Sequence, residues 1–164
     1  MEENKQIITQ LDHLIQVNLD RRAMYENAIE DVTEIGLMEL FSKCIAQSEK
    51  NIVELRPYIL KYGGKPPETP STSSKLSQMW MDFKAAVIVD NERAVLQSCE
   101  KGEDTAKDTY LAAANQFEED MNDEELRSTI IKQKAGILAI HDHIRALRDS
   151  FKEDSSGPRS FMSE

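Results

Sequence analysis

The sequence predicts an all-α protein: an antiparallel four-helix bundle whose two hairpins are joined by a long crossover carrying a short extra helix. Three observations lead there. Four long stretches repeat apolar residues at three- and four-residue steps, the period of a helix with one buried face. Hydrophobic residues are 40% of the chain but aromatic ones only 6%. Leu, Ile, Ala, Val and Met dominate the apolar positions, and that mix suits helices better than sheets. The first and last pairs of stretches have brief connections, while a long Pro- and Ser-containing segment separates the pairs. A chain of 164 residues can enclose one sizeable core. The expected bundle covers 1–152, with a disordered polar tail at 153–164.

The first helix is expected over about 4–35, on the stripe Ile8, Leu11, Ile15, Asn18, Arg22, Tyr25, Ile29 and Val32, with Gly36 as its stop. The second, about 37–62, runs on Leu37, Phe41, Cys44, Ser48, Ile52, Leu55 and Ile59. Pro57 should kink it or loosen its last turn, and Gly63-Gly64 closes it. Lys65 to Lys75 reads as an extended, solvated linker. A short helix at about 76–88 carries Leu76, Met79, Trp80, Phe83, Ala86 and Val87, and Asp90 is placed to cap the next helix. That third long helix, about 91–118, uses Leu96, Cys99, Glu103, Ala106, Tyr110, Ala113 and Phe117. The fourth, about 124–151, uses Leu126, Ile130, Gln133, Ile137, Ile140, Ile144, Leu147 and Phe151.

The stripes are apolar at their ends and polar in the middle. With a rise of about 1.5 Å per residue, the polar interruptions come to similar heights in an antiparallel bundle. The expected buried polar layer is Asn18, Arg22, Tyr25, Ser48, Asn51 and Glu103. A carboxylate on a core stripe is costly unless something pairs with it, and Arg22 is the expected partner of Glu103. Gly102 beside it would let a neighbour approach closely, at roughly 1 kcal/mol of helix propensity. Cys44 and Cys99 fall at similar height on diagonal helices, too far apart for a disulfide, and read as buried reduced thiols.

A net charge of −10 argues against nucleic-acid or anionic-membrane binding. No run approaches the ~18 apolar residues of a membrane span, and the N-terminal residues lack a signal peptide's basic start and apolar core. The expected location is the cytoplasm. No Ser-His-Asp or Cys-His arrangement, P-loop or dinucleotide fingerprint is present, so no catalytic residue is assigned.

Several strings carry a resemblance: Asn18-Leu19-Asp20 with Tyr25-Glu26-Asn27-Ala28; Tyr62-Gly63-Gly64-Lys65-Pro66; Trp80-Met81-Asp82-Phe83-Lys84-Ala85-Ala86; Cys99-Glu100-Lys101-Gly102-Glu103-Asp104; and His141-Asp142-His143-Ile144-Arg145-Ala146-Leu147-Arg148-Asp149. Across about 5–150 the chain resembles the bacterial ferritin-like four-helix-bundle proteins of unknown function. The resemblance implies a ferritin-like fold, a link to stress and no established activity.

Ferritin-like di-iron sites use a Glu from each of two helices and a Glu-x-x-His from each of the other two. The sequence has no Glu-x-x-His; Gln47-Ser48-Glu49-Lys50 and Gln133-Lys134-Ala135-Gly136 stand where such motifs would lie. A non-catalytic structural or interaction protein is therefore the leading reading, with no cofactor. Its alternative is an iron-handling protein that binds iron or another divalent metal at a degenerate site of Glu26, Glu100, Glu103 and His141. His141 also reads as a satisfied core histidine, and His13 as solvated. The apolar Trp80 helix is expected either to cap the bundle's flank or to offer a face for a homodimer.

Overall fold

A computed structural model describes residues 2–71, 92–120 and 122–156. It contains four long helices: α1 (Glu2–Asp31), α2 (Ile35–Lys61), α3 (Glu92–Asp120) and α4 (Glu124–Ser156), with no strand among the described residues. α1 packs chiefly on α2 and α3 on α4; α1 also packs on α3, while α2 meets α4 more sparsely. The diagonal pairs are thus α1/α4 and α2/α3, as in a bundle with one crossover. Lys61 of α2 bonds Asp123 just ahead of α4 at one end, and Thr33 after α1 meets Glu92 of α3 at the other. These end contacts set α1 and α4 running one way and α2 and α3 the other. No described helix is long and apolar enough to cross a membrane.

Helix limits differ from the expected ones chiefly at the end of α1, the start of α2 and the end of α4. α1 stops at Asp31 instead of continuing to 35, so Gly36 lies in the first turn of α2 and is not a helix stop. Val32 remains buried after the helix has ended, which is why the periodic stripe overran the backbone's turn. α2 continues through Pro57 to Lys61. α4 continues to Ser156, so helix occupies the first part of the segment expected as a disordered tail. The short helix expected at 76–88, with Trp80 and the Asp90 cap, lies outside the described residues, as do 157–164.

The end of α2 shows how locally the chain is instructed. Gly63 adopts φ 90°, its N–H bonds Leu60 O at 3.0 Å, and the Gly64 N–H bonds Ile59 O at 2.8 Å. That pair of bonds is the Schellman closure, which satisfies carbonyls the helix leaves open. A Cβ on Gly64 would come within 2.8 Å of Ile8 Cγ2 and 2.9 Å of Ile59 Cγ1, both branched side chains. Gly64→Ala is expected to cost about 1–3 kcal/mol through overpacking. A Cβ on Gly63 meets nothing within 4 Å, so Gly63→Ala should cost only the left-handed backbone penalty of about 1–2 kcal/mol. Urea denaturation of the two variants checks both values.

The described start of the crossover is not simply solvated. Thr69 O accepts from Gln16 Nε2 at 3.0 Å, and the Ser71 N–H donates to Asp20 Oδ1 at 2.5 Å. Two polar side chains of α1 thereby hold residues 69–71 against that helix.

The core has two apolar halves. One joins Leu11, Leu14, Ile15, Ile52, Leu55, Ile59, Tyr110, Phe117, Leu126 and Ile130. The other joins Tyr25, Ala28, Leu40, Phe41, Cys44, Leu96, Cys99 and Ile144. On every helix buried polar residues stand where these halves meet: Asn18 and Arg21, Ser48 and Asn51, Glu100 and Glu103, and His141. The bundle therefore carries a buried polar belt at mid-height.

Candidate functional site

The belt is the candidate site, because burial of polar groups is tolerated only where partners are supplied. It has two connected sets of hydrogen bonds. The first centres on Glu103, whose side chain is fully buried. Its Oε1 accepts from Arg21 Nε at 2.5 Å and from the Tyr25 hydroxyl at 2.8 Å. Arg21 Nη1 also donates to Ser48 Oγ at 2.9 Å and to the Cys44 carbonyl at 3.4 Å. The guanidinium carbon lies 5.5 Å from the centre of the Tyr25 ring, within cation–π range. The Tyr25 ring in turn packs 5.3 Å from that of Phe41.

The second set lies one turn toward the other half of the core. Asn18 Nδ2 donates to Leu14 O and to the Tyr110 hydroxyl, both at 2.8 Å. Tyr110 donates onward to Gln133 Oε1 at 2.6 Å. Asn51 Nδ2 donates to Asn18 Oδ1 at 3.1 Å. Gln133 Nε2 reaches the Asn51 carbonyl at 3.3 Å and Glu54 Oε1 at 2.9 Å. All four helices contribute, so the set also fixes their mutual register.

The buried charged partner of Glu103 is Arg21 and not the expected Arg22. Arg21 is 2% exposed, whereas Arg22 is half-buried and pairs with Glu26 at 3.2 Å on the helix surface. Both positions keep a three- or four-residue step from Asn18 and Tyr25. At about 100° per residue, however, Arg21 lies only about 40° from Tyr25 around the helix, and Arg22 about 60° away on the opposite side. The buried Leu14, Ala28 and Val32 lie on the Arg21 side of Asn18. The other expected members, Asn18, Tyr25, Ser48, Asn51 and Glu103, are all in the belt. Sequence reading missed Tyr110 and Gln133, both of which sit on its own stripes.

The candidate metal ligands do not converge. Glu26 is on the surface with Arg22. Glu100 accepts from Arg145 at 3.1 Å and also from Arg148 Nη1. His141 is fully buried, with Nε2 2.5 Å from Asp104 Oδ1 and Nδ1 3.2 Å from Asp142 Oδ1. Among the described residues no three His, Cys, Asp or Glu side chains gather as a metal-binding group. Each candidate carboxylate has instead taken the nearest cation. Arg145 and Arg148, three residues apart on α4, were the sequence signal for Glu100.

The electrostatics suit a closed layer. Burial opposes the Arg21 charge most strongly, but Glu103, Tyr25 and Cys44 together outweigh it and hold the guanidinium proton more firmly than usual. Burial, reinforced by Glu103, pushes the Tyr25 hydroxyl well above its ordinary value. Burial likewise pushes the Cys44 thiol up to about 11 and the Cys99 thiol well above 9.0. Both cysteines are free and buried, and a protonated, covered thiol is a poor nucleophile. Both should therefore resist a water-soluble thiol reagent at pH 8 in the native chain and react on addition of denaturant. Stoichiometric labelling of the native chain would contradict this.

Residues 6–116 match the family model for a domain of unknown function, DUF2383. No curated protein matches the sequence. Among solved structures, a mutant of Mycobacterium smegmatis Dps1 is similar with a TM-score of 0.67 and 12% identity, covering 90% of this chain and 97% of that one. At such low identity the likeness speaks for the fold alone, a ferritin-like four-helix bundle. Because the family model spans more than half of its length, the chain belongs to the family of the domain of unknown function DUF2383.

Proposed function

We propose that this protein is a non-catalytic structural or interaction protein, in which a buried ion pair stands where ferritin-like di-iron bundles hold their metal. The observation that carries this reading is the occupancy of Glu103. Its Oε1 already accepts from Arg21 and Tyr25. A guanidinium fixed there places a positive charge where a metal ion would need to be, and like charges repel strongly where the dielectric is low. Arg21 also brings no lone pair with which to ligate a cation.

The alternative is iron or another divalent metal held at a degenerate site. Metal analysis of protein purified without chelator separates the two. Far less than one metal ion per chain is expected, both before and after Glu103→Ala. Near-stoichiometric iron or manganese that disappears in Glu103→Ala would overturn the proposal. The interaction role extends to a homodimer, supported by the apolar run Met79, Trp80, Met81 and Phe83 in the crossover sequence. The mass of the same preparation by light scattering at high concentration would remove the dimer if it is that of a monomer.

A further inference from the structure

The ion pair at the centre of the belt is incompletely bonded. Arg21 Nη2 and Glu103 Oε2 are both buried and have no hydrogen-bond partner among the described protein atoms. Arg21 is 2% exposed and Glu103 fully buried, so bulk solvent does not reach either group. The cause is visible in the geometry. Nε–H and one Nη2–H form the side-on fork of a guanidinium, which matches both oxygens of a carboxylate. Here only Nε–H is used, and the oxygen it meets is shared with the Tyr25 hydroxyl. Ser48 and the Cys44 carbonyl engage Nη1 on the opposite edge. Glu103 is thus held on one oxygen, and the second tine of the fork goes unmatched. Leaving a buried donor or acceptor unsatisfied costs about 1–3 kcal/mol, and more for a charged group.

We infer that Arg21 Nη2 and Glu103 Oε2 form a binding site for one small neutral hydroxylic molecule, water, which accepts from the guanidinium and donates to the carboxylate. The inference rests on the ion-pair reading of the belt. The chemistry of the two atoms selects the occupant. An anion would gain from Nη2 but be repelled by Oε2, and a cation the reverse. The neighbouring titratable groups add no charge, because burial favours the protonated forms of Tyr25, Cys44 and Cys99. Only a neutral group that both donates and accepts satisfies the pair. Internal waters typically occur where two to four polar partners are offered, at about one per 27 residues. The pair offers two such partners, and the Nη2 group has a second N–H to give. The water completes a bridge that the side-on fork does not close, and it leaves Tyr25 free to keep its bond to Oε1.

A crystal structure of the full chain at a resolution that shows ordered water, grown without alcohols or divalent salts, tests the site. The expected result is one ordered oxygen per chain, about 2.7–3.2 Å from both Arg21 Nη2 and Glu103 Oε2. A carboxylate turned so that Oε2 bonds Nη2 directly would overturn the inference and leave the ion-pair reading standing. So would a pair with no atom between the two groups. A peak with ligand distances of about 2.0–2.2 Å to Glu103 would be a metal ion, and would overturn both this inference and the proposed function.

Discussion

Arg21→Met is expected to lower the unfolding free energy by about 3–5 kcal/mol, the cost of stranding one member of a buried ion pair. Glu103 would lose the donor at 2.5 Å, and Ser48 its partner at 2.9 Å, with no bulk solvent to replace either. Arg22→Met, one residue away, is expected to change stability by no more than about 0.5 kcal/mol. Its pair with Glu26 is a partly exposed i,i+4 contact, and such pairs contribute about 0.3–0.5 kcal/mol. Urea denaturation of the two variants checks the contrast. Equal losses would mean that the guanidinium is not placed as described. Tm should follow the same order.

The second large effect belongs to Tyr110. Its hydroxyl accepts from Asn18 and donates to Gln133, joining α1, α3 and α4. Tyr110→Phe keeps the ring and removes only that link. Two buried amide groups lose a partner, at about 1–3 kcal/mol for each buried group left unsatisfied. The expected loss is therefore about 2–4 kcal/mol, the larger part from Gln133 Oε1, because Asn18 Nδ2 keeps its bond to Leu14 O. Equilibrium denaturation of the variant measures it. A loss below about 0.5 kcal/mol, the size of an ordinary surface substitution, would show that the amides re-pair without the hydroxyl.

The fold was legible because the helical stripes are long and their interruptions coincide in height. Asn18, Ser48, Asn51 and Glu103 could each be a lapse in amphipathicity alone; together they mark one layer. What sequence could not resolve was rotation about a helix axis. Arg21 and Arg22 both fit three- and four-residue steps, and only the partner helix decides which side of the stripe is covered. Tyr110 and Gln133 were on their stripes but were read singly, an aromatic and a neutral amide with no charge to demand a partner. The placement of Glu26, Glu100 and His141 was illegible for a different reason. Height alone groups these acids with a histidine, yet Glu26 pairs with Arg22, and Glu100 with Arg145 and Arg148. Asp104, adjacent to Glu103 in the chain, points along the α3/α4 seam to His141. The single-residue step between two acids thus separates a core pair from a half-exposed one.

This difference between a shared metal cage and separate ion pairs has a thermodynamic signature. In a cage, Glu103 would depend on a metal and on the other ligands. In the belt it depends on Arg21. A double-mutant cycle of Arg21→Met and Glu103→Leu, read by urea denaturation of metal-free protein, measures that dependence directly. The expected coupling is at least about 2 kcal/mol, with the double variant more stable than either single one because no lone charge is left buried. Losses that add to within about 0.5 kcal/mol would contradict it.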